Sequence, residues 1–379
     1  MTTTVMDSIP TDLFLDIFSR LPVKSVAKCL FVSKQWASII CRPDFTELFL
    51  TRSNTRPRLL FAVKELSISE WHFFSLPQPQ NPYEKSSLVV FHDSHIKFPK
   101  GMRLDFCGHA SGLIYFHGTS ERVEDTMHVM HNPSTGQYEF SPELRKGRDS
   151  QCYLGFDPID NIIKVLSLST RPYCDEGDEQ RILTLGTGET SWRKIQCPLH
   201  HWPSRNEGIC INGVLYYPAR LDDTSSVVVC FDVRTEKFKF IATSVLCDDD
   251  KLINFKGKLC RVDCYGITSS DGSRSFVMCM SVLEDVEKEE WSEYTYWLED
   301  DELVRHCIHV SVDGVTATGD IVLSMGSYTS RPFCVFYFSP ESNTLQRVEI
   351  QGFGGMFNIH THRVEVIVDH IEDLKFNII

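Results

Sequence analysis

The side chains best suited to chemistry in this 379-residue chain are its 14 histidines and 14 cysteines, because imidazole and thiolate groups at short spacing can hold a zinc-class metal ion. Their spacing argues against it. No CxxC pair occurs, and the nearest approaches are Cys260 with Cys264, His306-Cys307 with His309, and Cys197 with His200-His201. Each reads as alternating strand or loop composition. His360 and His362 stand two apart, as on one strand face, but no third ligand is indicated. No metal and no cofactor is therefore expected.

Other chemistries find equally little footing. Gly186-Thr187-Gly188 and Gly352-Phe353-Gly354-Gly355 lack the Lys-Ser/Thr pair and the following helix of a phosphate loop, so both read as turns. No GxSxG elbow occurs. Acidic runs at Asp175-Glu176-Gly177-Asp178-Glu179, Asp248-Asp249-Asp250, Glu284-Asp285-Val286-Glu287 and Glu299-Asp300-Asp301-Glu302 lack the alternating ligands of a calcium loop. They read as solvated loops, with a face for a basic partner as the other reading. Arg145-Lys146-Gly147-Arg148 is the only compact basic patch. A non-catalytic protein is the expectation.

The composition sets what must position any site. With 42% apolar, 23% charged and 11% aromatic residues, the chain can bury a sizeable core and is long enough for two domains. Its net charge of −13 opposes phosphate backbones and anionic membranes, and the acidic excess lies wholly beyond residue 50. Neither a nucleic acid nor a membrane is an expected partner. Met1-Thr2-Thr3-Thr4-Val5-Met6-Asp7 has neither the basic nor the apolar region of a secretory signal, so an intracellular protein, cytoplasmic or nuclear, is expected. Scattered cysteines within apolar strands, such as Val229-Cys230-Phe231, then read as reduced core thiols without disulfides.

Residues 1–50 read as a small helical unit. Pro10 and Asp12 suit the start of a helix on which Leu13, Phe14, Ile17, Phe18 and Leu21 recur at three- and four-residue intervals. Pro22 ends it. A second short helix is expected through Ser25–Leu30, a third capped by Ser33 and bearing Trp36, Ile39 and Ile40, and a further turn after Asp44 with Phe45, Leu48 and Phe49. Three short helices cannot hide this much apolar surface, so the excess either packs on the rest of the chain or docks a partner.

The runs Ser8-Ile9-Pro10-Thr11-Asp12-Leu13, Ile17-Phe18-Ser19-Arg20-Leu21-Pro22-Val23-Lys24-Ser25 and Val32-Ser33-Lys34-Gln35-Trp36 together resemble an F-box. The resemblance implies docking onto a Skp-type adaptor and, through it, a cullin–RING ubiquitin ligase. It implies adaptor-facing positions at Pro10, Leu13, Ile17, Leu21, Pro22, Val32 and Trp36. Two residues depart from the family's habit: Asp16 replaces a usual Glu, and Phe31 a common Cys or Arg.

Residues 51–57 lose hydrophobic periodicity and read as a linker, after which residues 58–379 turn strand-like. Gly112-Leu113-Ile114-Tyr115, Gly213-Val214-Leu215-Tyr216 and Gly319-Asp320-Ile321-Val322 are followed 20, 19 and 20 residues later by turns at Asn132, Asp232 and Ser339. The glycine-led element reads as an inner strand and the later one as a tight turn between two outer strands. Weaker copies start at Gly155 and Gly257, for a mean spacing of about 52 residues, close to kelch repeats. The pattern predicts an all-β, antiparallel, kelch-like propeller or propeller-like domain of roughly six blades, with His362–Val368 as the candidate closing strand. A β-sandwich is the alternative.

Asn132-Pro133-Ser134-Thr135-Gly136, Leu154-Gly155-Phe156-Asp157-Pro158 and Trp192-Arg193-Lys194-Ile195 ahead of Gly213-Val214-Leu215-Tyr216 also resemble the F-box-associated domain of a large plant family. That implies a ligase subunit that recruits an unidentified target protein and leaves the chemistry to its partners. Two other functions stay open: a glycan-binding or hydrolytic propeller using carboxylates with Trp202 and Tyr216, and an F-box scaffold that delivers no target.

Overall fold

Four helices precede the first strand in the computed structural model, which describes residues 10–65, 70–99, 102–120, 126–141, 150–169, 180–185, 191–222, 224–243, 250–268, 270, 272, 274–326, 332–353 and 362–374. Helix α1 (Thr11–Phe18) follows Pro10 with Asp12 in its first turn, and α2 (Val23–Cys29) follows Pro22. Ser33 caps α3 (Lys34–Ile40), its side-chain oxygen accepting the Trp36 N–H at 3.1 Å.

Helix α4 (Pro43–Asn54) corrects the expected boundary at residue 50. The stretch 51–57, read as a linker because it loses apolar periodicity, is helical as far as Asn54. Polar residues continue the helix because they have partners elsewhere. Arg52 donates to the α1 backbone at Asp16 O (2.7 Å) and to Ser19 Oγ (2.7 Å), and pairs with the Asp16 carboxylate at 2.5 Å.

Beyond Pro57 the described strands form six sheets. Blade 2 shows the plan: Met102–Ala110, Leu113–Ser120, Thr126–Asn132 and Gln137–Phe140 pair antiparallel in sequence order. Blade 3 (Ser150–Asp157, Ile162–Ser169, Arg181–Leu185, Arg193–Lys194) and blade 5 (Lys251–Phe255, Lys258–Thr268, Arg274–Asp285, Glu290–Leu298) repeat it. In blade 4, Trp202–Pro203 and Ile209–Ile211 share the place beside Val214–Arg220, with Ser226–Asp232 and Phe238–Thr243 outside. Blade 6 comprises Val310–Val315, Ile321–Met325, Phe333–Ser339 and Thr344–Gln351. Blade 1 takes its first strand from the far end of the chain: His362–His370 pairs with Arg58–Glu65, followed by Glu70–Pro77 and Phe91–Lys97.

Ring closure shows in the cores. Six apolar clusters each join one pair of neighbouring blades, and the cluster of Phe61, Val63, Val322, Phe333 and Tyr337 joins blade 6 back to blade 1. The sandwich alternative is thereby overturned. Period-2 alternation supplies both faces: Leu59, Phe61 and Val63 turn toward blade 6, while Leu60 and Ala62 turn toward blade 2. Strands buried on both sides read as unbroken apolar runs, which is why they were visible in the sequence.

One pairing departs from the all-antiparallel expectation. The loop between the last two strands of blade 1 sends Ser87–Val89 across to pair parallel with Thr344–Gln351 of blade 6. From the same loop Tyr83 donates its hydroxyl to Asp320 Oδ1 (2.9 Å), at the turn between the first two strands of blade 6.

The repeat glycines lead inner strands, as expected. Ser111-Gly112, Asn212-Gly213 and Lys256-Gly257 are two-residue turns with both φ values positive, joining first to second strands, so the strand they lead is the second of its blade. Gly155 instead lies inside the first strand of blade 3, where a Cβ would come within 2.7 Å of Val233 Cγ2 in blade 4. It is a close-approach glycine, and that copy was out of phase. Described acidic runs differ too: Asp300 caps a five-residue helix, α5 (Asp301–Arg305), rather than lying in an open loop. The runs at 175–179, 248–249 and 145–148, the glycines at 186–188 and 354–355, and His360 lie outside the described residues. Twelve described cysteines are free thiols.

The chain leaves blade 1 through residues 371–374, which cross the mouth of the Ser111-Gly112 turn. At Gly112, φ is +76° and a Cβ would meet Ile371 O at 2.6 Å. Gly112→Ala is expected to cost about 2 kcal/mol or more from backbone strain and displacement of this segment. Denaturant unfolding of the full chain measures it; an unchanged midpoint would contradict the packing described.

Candidate functional site

The helical unit divides its apolar residues by face. Phe14 and Phe18, one turn apart on α1, are buried with Val23, Val26, Ile39, Ile40, Phe45 and Phe49. Leu13 and Ile17, also one turn apart, form a neighbouring stripe left 53% and 51% exposed. At the turn between α2 and α3, Phe31 is 90% exposed and Val32 56%. Exposed side chains of this size gain nothing for the isolated chain, and four of them fall within residues 13–32.

The seven positions expected to face a partner therefore separate. Pro10, Leu13, Ile17, Pro22 and Val32 are exposed. Leu21 and Trp36 are only half-exposed, packed against the unit's own core, with the Trp36 ring 4.8 Å from Phe18 and 5.9 Å from Phe14. Phe31, absent from the expected set, is the most exposed apolar side chain here. The signal for it was available in its bulk between two helix-forming stretches.

Arginines lock the stripe in place. Asp16, on the same helix, is held ionised below the usual carboxylate range by hydrogen bonds from Arg20 and Arg52. Arg56 donates to Ser19 O at 2.9 Å and to Arg20 O. The Asp that departs from the resembled family thus ties α1 to α4.

The unit is also tied to the ring, so part of its excess apolar surface packs on the rest of the chain. Leu374, from the segment beyond blade 1, is buried in the helical core. Glu372 accepts the Val23 N–H, and Lys24 pairs with Asp93 of blade 1 at 3.2 Å. Asn132 does two jobs: its Oδ1 accepts the N–H groups of Ser134 and Thr135, building the blade 2 turn, and its Nδ2 donates to Asp373 O at 3.0 Å. The other repeat motif is a clasp between blades 3 and 4, where Arg234 binds both oxygens of Asp157 at 2.8 and 2.9 Å and holds its carboxyl down to about 2.

Around the axis the inner strands and the adjoining loop gather Glu207, Lys251, Asp313 and Glu365, which no sequence pattern announced. Lys251 pairs with Glu207 at 2.5 Å. Burial pushes the Asp313 carboxyl up to about 8 and that of Glu365 up to about 7, so neither is a settled anion near neutrality. Tyr216, expected beside carboxylates in a hydrolytic site, packs instead between blades 4 and 5. Trp202 lies on the first strand of blade 4 with His200 5.3 Å away.

Cys197 Sγ and His201 Nδ1 lie 3.7 Å apart in one turn, while Cys260 is buried at the blade 5 to blade 6 interface with Cys264 packed alongside. Elsewhere, however, ligand atoms of His117, His128 and Cys152 all lie within 4.8 Å of one another. Burial lowers the two imidazoles to about 4 and about 3 and pushes the thiol up to about 12. The two histidines meet across paired strands of blade 2, and Cys152 joins them from the first strand of blade 3.

Comparison with known proteins agrees with this geometry. Residues 6–48 match the F-box domain, and residues 58–371 match the F-box associated beta propeller domain. One F-box protein of Arabidopsis thaliana is 48% identical over 384 residues, covering 98% of this chain and 92% of its own. Another from the same plant is 45% identical over 411 residues, covering 97% and 94%. A periplasmic gluconolactonase of Pseudomonas aeruginosa is 12% identical with a TM-score of 0.37, covering 79% and 84%, too distant for anything to be carried over.

The division of faces predicts two different mutant classes. Trp36→Ala removes core packing and is expected to destabilise the chain by about 3 kcal/mol, whereas Leu13→Ala stays within about 0.5 kcal/mol. Equilibrium denaturation distinguishes them. Equal losses would contradict the assignment of faces.

Proposed function

Since the chain belongs to the F-box proteins that carry an F-box-associated β-propeller domain, we propose that it is the substrate-recognition subunit of a Skp-cullin-F-box ubiquitin ligase. The helical unit docks a Skp-type adaptor, and the propeller holds a target protein for ubiquitination. One observation carries the first half: Leu13, Ile17, Phe31 and Val32 stay exposed on a unit whose interior is already filled. Each such side chain contributes roughly 1.5–3 kcal/mol when buried at an interface, so a few anchors suffice for stable docking.

In this role Leu13, Ile17 and Val32, flanked by Pro10 and Pro22, make contact, with Phe31 added to them. Leu21 and Trp36 support that face from beneath. The blades, whose repeat of about 50 residues supports a kelch-like reading, supply the target-binding surface. The chain then contributes no catalytic group. It raises the rate by proximity, holding a target lysine near the loaded conjugating enzyme. This reading places the protein inside the cell, in cytoplasm or nucleus.

Leu13→Asp and Ile17→Asp each put a charge into the proposed interface and are expected to weaken adaptor affinity about 100-fold or more without altering the melting midpoint. Calorimetric titration with purified adaptor reads this. Undiminished binding by both variants would refute the docking face.

A further inference from the structure

We propose that His117, His128 and Cys152 form a binding site for a zinc-class metal ion that staples blade 2 to blade 3.

The three ligand atoms lie within 4.8 Å of one another, whereas donors around a four-coordinate ion stand roughly 3.5 Å apart. A closure of about 1 Å, within reach of small side-chain rotations, assembles the site. The placement is fixed by sheet hydrogen bonding rather than by loops. His117 and His128 are direct cross-strand partners on the second and third strands of blade 2. Cys152 comes from the first strand of blade 3, itself paired with Ser167. Three ligands on three strands of two sheets are held as rigidly as this fold permits.

Donor identity points to the ion. Two imidazoles and one thiolate form a borderline-to-soft set that suits zinc and excludes magnesium and calcium, which take oxygen ligands. The surroundings already supply orienting partners. His128 Nδ1 meets the Tyr115 hydroxyl at 2.5 Å and its Nε2 lies 3.3 Å from Thr126 Oγ1, so one nitrogen can bind metal while the other keeps its partner. His117 Nε2 lies at a long 3.4 Å from Ser150 Oγ. Tyr115 and Trp192 enclose the His128 ring at 5.9 and 4.9 Å between ring centres. On binding, the Cys152 thiol gives its proton to solvent and two nitrogen lone pairs complete a three-ligand set, leaving a fourth position for water.

Cobalt(II) is the probe, added to the full-length chain after purification under reducing conditions with a chelator. One equivalent is expected to give thiolate-to-cobalt charge transfer in the near ultraviolet, bleached by zinc. Zinc at a hundredfold excess over its Kd is expected to raise the melting midpoint by about 5 °C. Cys152→Ser abolishes the charge-transfer band while Cys197→Ser, at the other Cys–His pair, leaves it intact. His117→Gln, at a partly exposed position where folding is least at risk, weakens binding at least tenfold. Absence of stoichiometric cobalt binding, or a band that survives Cys152→Ser, overturns the proposal.

Discussion

A ring of sheets gains its stability only when the last interface is made, and here that interface joins the two ends of a chain segment more than 300 residues long. His362–His370 lies beside Arg58–Glu65, and the apolar faces of blades 1 and 6 then close over Phe61, Phe333 and Tyr337. Each large side chain buried there contributes roughly 1.5–3 kcal/mol, against a loop-closure entropy that grows only slowly with length. The parallel strand Ser87–Val89 reinforces the same seam from the outer edge.

Closure has a consequence beyond stability, because the strand that closes the ring continues into the helical unit. Asn132 and the Ser111-Gly112 turn grip residues 371–373, and Leu374 enters the helical core. The surface bearing Leu13, Ile17, Phe31 and Val32 is thereby set in a defined relation to the blades. In the proposed receptor role such a link helps, since a loose tether would dilute the effective concentration of target at the ligase.

Much of this was legible in the sequence, for identifiable reasons. The helical unit announced itself through Pro10, Pro22 and Ser33 and through the spacing of Phe14 and Phe18; the blades through apolar runs that strands buried on two faces require. What stayed hidden depends on tertiary contact. Helix α4 runs past residue 50 because Arg52 reaches Asp16, a long-range pairing no local pattern carries. Trp36 reads as a contact residue by family resemblance, yet its ring lies against Phe18. The group of His117, His128 and Cys152 could not be found by spacing, since the cross-strand histidine pair of blade 2 meets Cys152 only where blade 3 packs beside it. Gly155 reads as a strand start because a close-approach glycine and a turn glycine look alike in sequence.

The central claim is that the exposed apolar stripe of α1 and the turn after α2 take the adaptor while the ring stays as it is. Amide hydrogen exchange of the full chain with and without purified adaptor tests it most directly. The account predicts slowed exchange confined to the helical unit, centred on residues 10–22 and 28–40, with the inner strands of all six blades unchanged. Slowed exchange in the blades with none in the helical unit would contradict it.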